Sequence, residues 1–127
     1  MASYSYFWRV TMSKILTQAS LHRTSDLLTL ISLYKYERPL EVIIAGHTQT
    51  IHPDFTIINI HTGKITYWEH AGRMDDAQYA DDFVRKMNTY TENGLFQGND
   101  VIVTYKSMNC PLNIHNVKMI VKKLLME

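Results

Sequence analysis

Two acidic residues stand in stretches that otherwise predict buried β-strands. Asp54 opens Pro53-Asp54-Phe55-Thr56-Ile57-Ile58, and Glu69 lies fifteen positions later, near the end of Tyr67-Trp68-Glu69-His70. Adjacent hairpin strands would bring the two carboxylates together, and Mg²⁺ is typically held by one or two carboxylates plus waters and phosphate oxygens. A metal held there could polarise a phosphodiester and generate a hydroxide nucleophile. The bare spacing more often has a structural cause, in which Asp54 ends a turn and Glu69 forms an ordinary ion pair.

Lys86 is a third candidate, because its predicted helix would place it in an aromatic stripe. At about 100° per residue, Lys86 falls between the rings of Tyr79, Phe83 and Tyr90. An ammonium among apolar groups needs a negative partner or access to solvent. Lys86 could therefore stabilise a phosphate or position an attacking water. Equally, it could extend into solvent or pair with Asp82, four positions earlier.

His70 follows Glu69 directly and is a weaker candidate for catalysis. Consecutive side chains of a regular strand point to opposite faces, so His70 would turn away from the metal unless a bulge intervened. A hydrogen-bonded structural role is the commoner outcome for such a histidine.

The sequence also lacks a glycine-rich phosphate loop, a dinucleotide-binding fingerprint and a Gly-x-Ser-x-Gly elbow.

The elements that must position these residues can be predicted from caps, turns and periodicity. Thr24-Ser25-Asp26 caps a short helix, and Asp75-Asp76 caps a longer one that ends at about Thr91 before Asn93-Gly94. The remaining predictions are strands at 40–45, 51–60, 65–70 and 101–105, a turn at 46–50, a hairpin turn at 61–64, a helix around 14–19 and a last helix capped by Asn113. This order predicts an α/β or α+β protein with a mixed four-stranded sheet flanked by helices.

The combination of Pro53-Asp54-Phe55-Thr56-Ile57 with Tyr67-Trp68-Glu69-His70 resembles the PD-(D/E)XK restriction-endonuclease-like superfamily, in particular a bacterial branch similar to nuclease-like segments of UvrD-type helicases. The similarity begins at Tyr36-Glu37-Arg38-Pro39-Leu40 and continues through Met74-Asp75, Tyr79, Lys86, Tyr90 and Asn93-Gly94. It covers about residues 34 to 126. The resemblance implies an αβββαβ core, here followed by an extra C-terminal helix.

The resemblance also implies roles for individual residues. Asp54 and Glu69 would bind Mg²⁺ or Mn²⁺ for hydrolysis of DNA, and Asp26 is the nearest match to an acidic metal ligand of the first helix. The superfamily's lysine usually stands two positions after the second acid, where this chain has Ala71. Lys86 on the following helix is the candidate replacement.

Bulk composition fits one globular domain of residues 1–127, with 1–24 as an N-terminal framing segment and 25–127 as the core. The chain has 46% hydrophobic and 20% charged residues, and 13 basic against 12 acidic side chains leave a net charge of +1. Any binding of nucleic acid must therefore be local. A single cysteine, no signal peptide and no long apolar run favour a cytoplasmic protein that does not cross a membrane.

Two functions follow as expectations. The first is a metal-dependent nuclease that cuts DNA, acting alone, as a homodimer or within a larger helicase–nuclease assembly. The second is a catalytically silent or fragmentary nuclease-fold module that binds nucleic acid or a protein partner, because Lys is missing at Ala71 and the N-terminal region is short.

Overall fold

The computed structural model describes residue 10 and residues 12–14, 34–59 and 62–126. The strands are β1 Tyr34–Tyr36, β2 Leu40–Ile44, β3 His47–Ile51, β4 Phe55–Ile58, β5 Ile65–Ala71 and β6 Val101–Tyr105; the helices are α1 Ala77–Glu92 and α2 Ile114–Met126. The predicted mixed α/β organisation is confirmed. Asp26, its predicted helix and His61 lie outside the described residues. So does the helix predicted at 14–19 apart from Lys14, which is helical.

The main sheet contains four strands in the order β1-β4-β5-β6. β4 lies between β1 and β5 and pairs with both in antiparallel register, whereas β5 and β6 are parallel. Antiparallel neighbours can be joined by a tight turn, but parallel neighbours need a crossover, and α1 makes it here. The result is a mixed sheet in which β5 is central and the end of β5 leads directly toward α1.

A second sheet, formed by β2 and β3 alone, corrects the sequence prediction for residues 40–50. The predicted turn at 46–50 is wrong, because the polar residues 47–50, together with Ile51, form β3 and pair with β2. The chain reverses at Ala45 and Gly46, whose φ angles of 52° and 79° suit a two-residue hairpin turn. Polar residues persist in β3 because four of its five residues are exposed.

The predicted strand at 51–60 is interrupted at residues 52–54, so that Ile51 ends β3 and Phe55 begins β4. Pro53 lies in this break and has no N–H to offer a strand partner. β4 pairs with β1, with Tyr36 opposite Phe55, and the Glu37 N–H donates to the Asp54 carbonyl at 3.1 Å. The β2–β3 hairpin is therefore an insertion between two paired strands, and Asp54 lies at its base.

Both helices begin at the caps that the sequence predicts. The Asp76 side chain accepts a hydrogen bond from the Tyr79 N–H at 3.1 Å, and the Asn113 side chain accepts one from the Asn116 N–H at 3.1 Å. Such bonds satisfy N–H groups that a helix start leaves without partners. α1 ends with Asn93 as its C-cap, followed by Gly94 at a φ of 79°. These predictions are confirmed.

The core lies between one face of the main sheet and α2. Its buried members are Met12, Phe55, Ile57, Trp68, Val117 and Val121. Burial of each large apolar side chain contributes roughly 1.5–3 kcal/mol to folding. Because side chains alternate along a strand, Trp68 faces α2 while its neighbours Tyr67 and Glu69 face the opposite side, which α1 covers. No helix among the described residues has the length and apolar character needed to span a membrane.

Candidate metal centre

Asp54 and Glu69 are brought together where β4 begins. The pairing of Phe55 with Trp68 places Asp54 opposite Glu69 on the neighbouring strand. The Asp54 N–H donates to Glu69 Oε1 at 3.0 Å, and the His70 N–H donates to Asp54 Oδ2 at 2.7 Å. Each carboxylate thus accepts a hydrogen bond from a backbone N–H of the neighbouring segment of the chain. The convergence predicted from the hairpin is present in the structure.

Lys86 extends from α1 to the same carboxylate pair. Its Nζ lies 2.6 Å from Glu69 Oε2 and 2.9 Å from Oε1, and it also donates to the His52 carbonyl at 3.0 Å. The alternative partner, Asp82, instead binds Arg85 at 2.9 Å. The Lys86 side chain is only 28% exposed. Its stem therefore does not carry the ammonium into bulk solvent, and its partner is the predicted metal ligand.

The electrostatics of the pair favour an additional positive charge. Burial, with a smaller contribution from the negative charge of Asp54, raises the pKa of Glu69 to about 7, against the charge and hydrogen bond of Lys86 and the Asp54 N–H. Burial also raises the pKa of Asp54, against the His70 N–H and the charge of Lys86, and the nearby charge of Glu37 adds to the increase. Two carboxylates share one ammonium, so a bound cation would relieve their mutual repulsion.

The His70 side chain lies on the opposite face of the sheet from Glu69. Its ring Nδ1 is 2.8 Å from Thr104 Oγ1, which also accepts from the Trp68 indole N–H at 3.2 Å. Burial, with a smaller contribution from the charge of Lys106, lowers the pKa of His70 to about 4. The backbone N–H of His70 therefore contacts the carboxylate site, whereas its neutral imidazole lies on the face of the sheet that α2 covers.

Tyr79 covers the edge of β5 beyond the start of β4. Its hydroxyl donates to the His70 carbonyl at 3.2 Å and accepts from the Gly72 N–H at 3.3 Å. These are backbone groups that a longer β4 would have bonded. Helical spacing places Tyr79 in the aromatic stripe with Lys86, but this role could not be predicted, since spacing gives no indication of which backbone groups lack a strand partner.

Tyr90 occupies the same face of α1 as Lys86, one turn further along. Its side chain is fully buried, and its ring stacks on that of Tyr67 with centroids 6.2 Å apart. Among the buried side-chain polar atoms that the structure describes, its hydroxyl alone has no hydrogen-bond partner. Burial raises the pKa of this hydroxyl, and the charges of Glu69 and Asp54 raise it further.

The carboxylates of Asp54 and Glu69 are the type of ligand that suits Mg²⁺, an ion that needs few ligands from the protein. Within residues 34–59 and 62–126, no group of three or more His, Cys, Asp or Glu side chains forms a metal cluster, and Asp26 is not among the described residues. Mg²⁺ is commonly bound through one or two carboxylates and completes its shell with water and substrate phosphate oxygens. Asp54 and Glu69 would hold such an ion, with Lys86 beside them.

Comparisons of the chain with protein-family models, with curated proteins and with solved structures find no significant match.

Proposed function

We propose that the chain is a metal-dependent nuclease that hydrolyses phosphodiester bonds of DNA, with a PD-(D/E)XK-like core. The observation that carries the proposal is the convergence of Asp54 and Glu69 at the start of β4, with Lys86 Nζ 2.6 Å from Glu69 Oε2. Two carboxylates can hold the metal for attack on a phosphate, and an ammonium can stabilise the charge that develops there.

The order of elements supports the same proposal. Three antiparallel strands, β1, β4 and β5, precede α1, and the parallel strand β6 follows it. We infer that this order corresponds to the βββαβ part of the expected core, with the β2–β3 hairpin as an insertion and α2 as the extra C-terminal helix. Glu69 lies on the central strand β5 and Asp54 directly precedes β4, and regular strands hold side chains more rigidly than loops do.

Each residue has a distinct role in the proposed reaction. A bound Mg²⁺ or Mn²⁺ would polarise the phosphate and lower the pKa of a coordinated water. Asp54 and Glu69 hold the ion, and the His70 N–H orients the Asp54 carboxylate. Lys86 places a positive charge where the phosphate gains negative charge. The partially buried site also limits access of bulk water, which strengthens these electrostatic interactions.

The direct test is cleavage of plasmid and single-stranded DNA by the purified chain with Mg²⁺ or Mn²⁺. Asp54→Asn should abolish cleavage, because the amide keeps the shape of the side chain but removes its charge. Asp81→Asn is the matched control, since Asp81 is an exposed acid on α1, and it should cleave like the unmodified chain. Equal cleavage by Asp54→Asn and Asp81→Asn would reject the assignment.

One observation favours the second candidate, a silent module that binds nucleic acid or a protein partner. Both Glu69 oxygens already accept hydrogen bonds, from Lys86 and from the Asp54 N–H. That network can be stable without a metal. The module would bind DNA in a gel-shift assay but give no calorimetric signal with Mn²⁺ and no cleavage. For either function, the proposal includes a cytoplasmic location. It also includes action as a homodimer or within a helicase–nuclease assembly.

A further inference from the structure

The Tyr90 hydroxyl is a buried polar group without a partner in the described part of the chain. A hydroxyl shielded from water without a hydrogen bond costs roughly 1–3 kcal/mol, so native proteins seldom retain one without a reason. The aromatic ring alone explains the packing, because it stacks on Tyr67. Phenylalanine would fill the same space without that cost. The hydroxyl therefore calls for a functional explanation.

The position of Tyr90 connects it to the carboxylate pair. Lys86 and Tyr90 are four residues apart on α1 and so project from one face of the helix. Lys86 binds Glu69, and Tyr90 stacks on Tyr67, which stands two residues before Glu69 on the same face of β5. The two helix residues thus lie over consecutive same-face positions of one strand, with the Tyr90 hydroxyl in the field of Glu69 and Asp54.

We propose that Tyr90 is a positioning residue of the metal site, whose hydroxyl hydrogen-bonds a water coordinated to the cation held by Asp54 and Glu69. This inference rests on the proposed metal-binding function. The residues that orient coordinated groups from behind the direct ligands typically change metal affinity by 10–100-fold when they are removed.

The test uses the full chain and two readouts with Tyr90→Phe. Thermal unfolding without metal should show a melting temperature equal to or higher than that of the unmodified chain, because an unsatisfied polar atom is removed. Calorimetric titration with Mn²⁺, and then Mg²⁺, should show about tenfold weaker binding. A residue with a purely structural role would not weaken binding while preserving metal-free stability. Tyr105→Phe, at an exposed tyrosine of β6, is the control and should change neither readout.

Three outcomes distinguish the inference from the function on which it rests. Binding of Mn²⁺ that Asp54→Asn abolishes and Tyr90→Phe weakens supports both. Binding that requires Asp54 but is unchanged in Tyr90→Phe overturns the role of Tyr90 and leaves the metal site intact. No binding by the unmodified chain overturns both. A lower metal-free melting temperature for Tyr90→Phe also overturns the inference, because the hydroxyl would then already have a partner.

Discussion

Glu69 and His70 are adjacent on β5, yet their pKa values move in opposite directions for the same reason. Burial disfavours the charged form of each, so it raises the pKa of Glu69 to about 7 and lowers the pKa of His70 to about 4. Their ordinary values are 4.5 and 6.5. The two residues therefore make opposing contributions to the pH dependence of stability in nearly the same pH range.

The sign of each contribution follows from proton linkage. The folded chain binds the proton of Glu69 more tightly than the unfolded chain does, so Glu69 stabilises below about pH 4.5 and loses this contribution as the pH rises to about 7. His70 is the reverse: its contribution is complete above about pH 6.5 and is lost as the pH falls to about 4. Each change corresponds to about 3 kcal/mol, and Asp54 acts in the same direction as Glu69.

His70→Gln removes the contribution of His70 to the pH dependence of stability, because glutamine can still bond Thr104 but does not titrate. Urea unfolding of both chains between pH 4 and 7 gives the free energy of unfolding at each pH. The advantage of the unmodified chain over the variant should increase by about 3 kcal/mol from pH 4 to 6.5, while the variant itself loses stability as the pH rises. His115→Gln, at an exposed histidine of α2, is the matched control.

A difference between His70→Gln and the unmodified chain that is independent of pH, or that decreases from pH 4 to 6.5, would refute the reasoning. It would mean that burial does not control the protonation of this part of β5. The orientation of the His70 ring toward Thr104, away from the carboxylates, would then also be in doubt, since contact with Asp54 or Glu69 would raise the pKa of the imidazole.

Two further predictions concern the contacts that α1 makes. Lys86→Met should lower the free energy of unfolding by about 2 kcal/mol at pH 8, which is less than for a fully buried pair because Lys86 is 28% exposed. Adding Glu69→Gln should restore part of this loss. Additive effects of the two substitutions would contradict the ion pair. Asn93→Ala removes two hydrogen bonds to the Ile43 backbone, at 2.8 and 3.0 Å, and should accelerate amide exchange at Ile43 and lower stability by about 1–2 kcal/mol. Unchanged exchange there would show that Asn93 does not anchor the β2–β3 hairpin.

Elements with local signals could be predicted from the sequence, and elements defined by distant partners could not. The caps Asp76 and Asn113 each bind an N–H group three residues away, so α1 and α2 could be predicted correctly. β3 was missed because an exposed strand carries no apolar pattern, and its pairing with β2 depends on a turn at Ala45 and Gly46 that lacks the usual Asn-Gly signature.

The same distinction applies to the site. Strand alternation was sufficient to predict that the His70 side chain turns away from Glu69. It was not sufficient to choose between Glu69 and Asp82 as the partner of Lys86, because the first lies on another element and the second on the same helix. The unsatisfied hydroxyl of Tyr90 has no counterpart in the sequence at all, since burial and missing partners are properties of the folded chain.

The position of Ala71 gives a physical reason why the proposed nuclease takes its ammonium from a helix. Ala71 lies two residues after Glu69 and therefore on the same face of β5, and its side chain is fully buried. A lysine there would have to bury a long stem at the end of β5, where Tyr79 already covers the strand edge. Lys86 reaches the Glu69 carboxylate from α1 while part of its side chain stays exposed. Ala71→Lys should consequently destabilise the fold by overpacking, and it should not restore metal-dependent cleavage to Lys86→Ala.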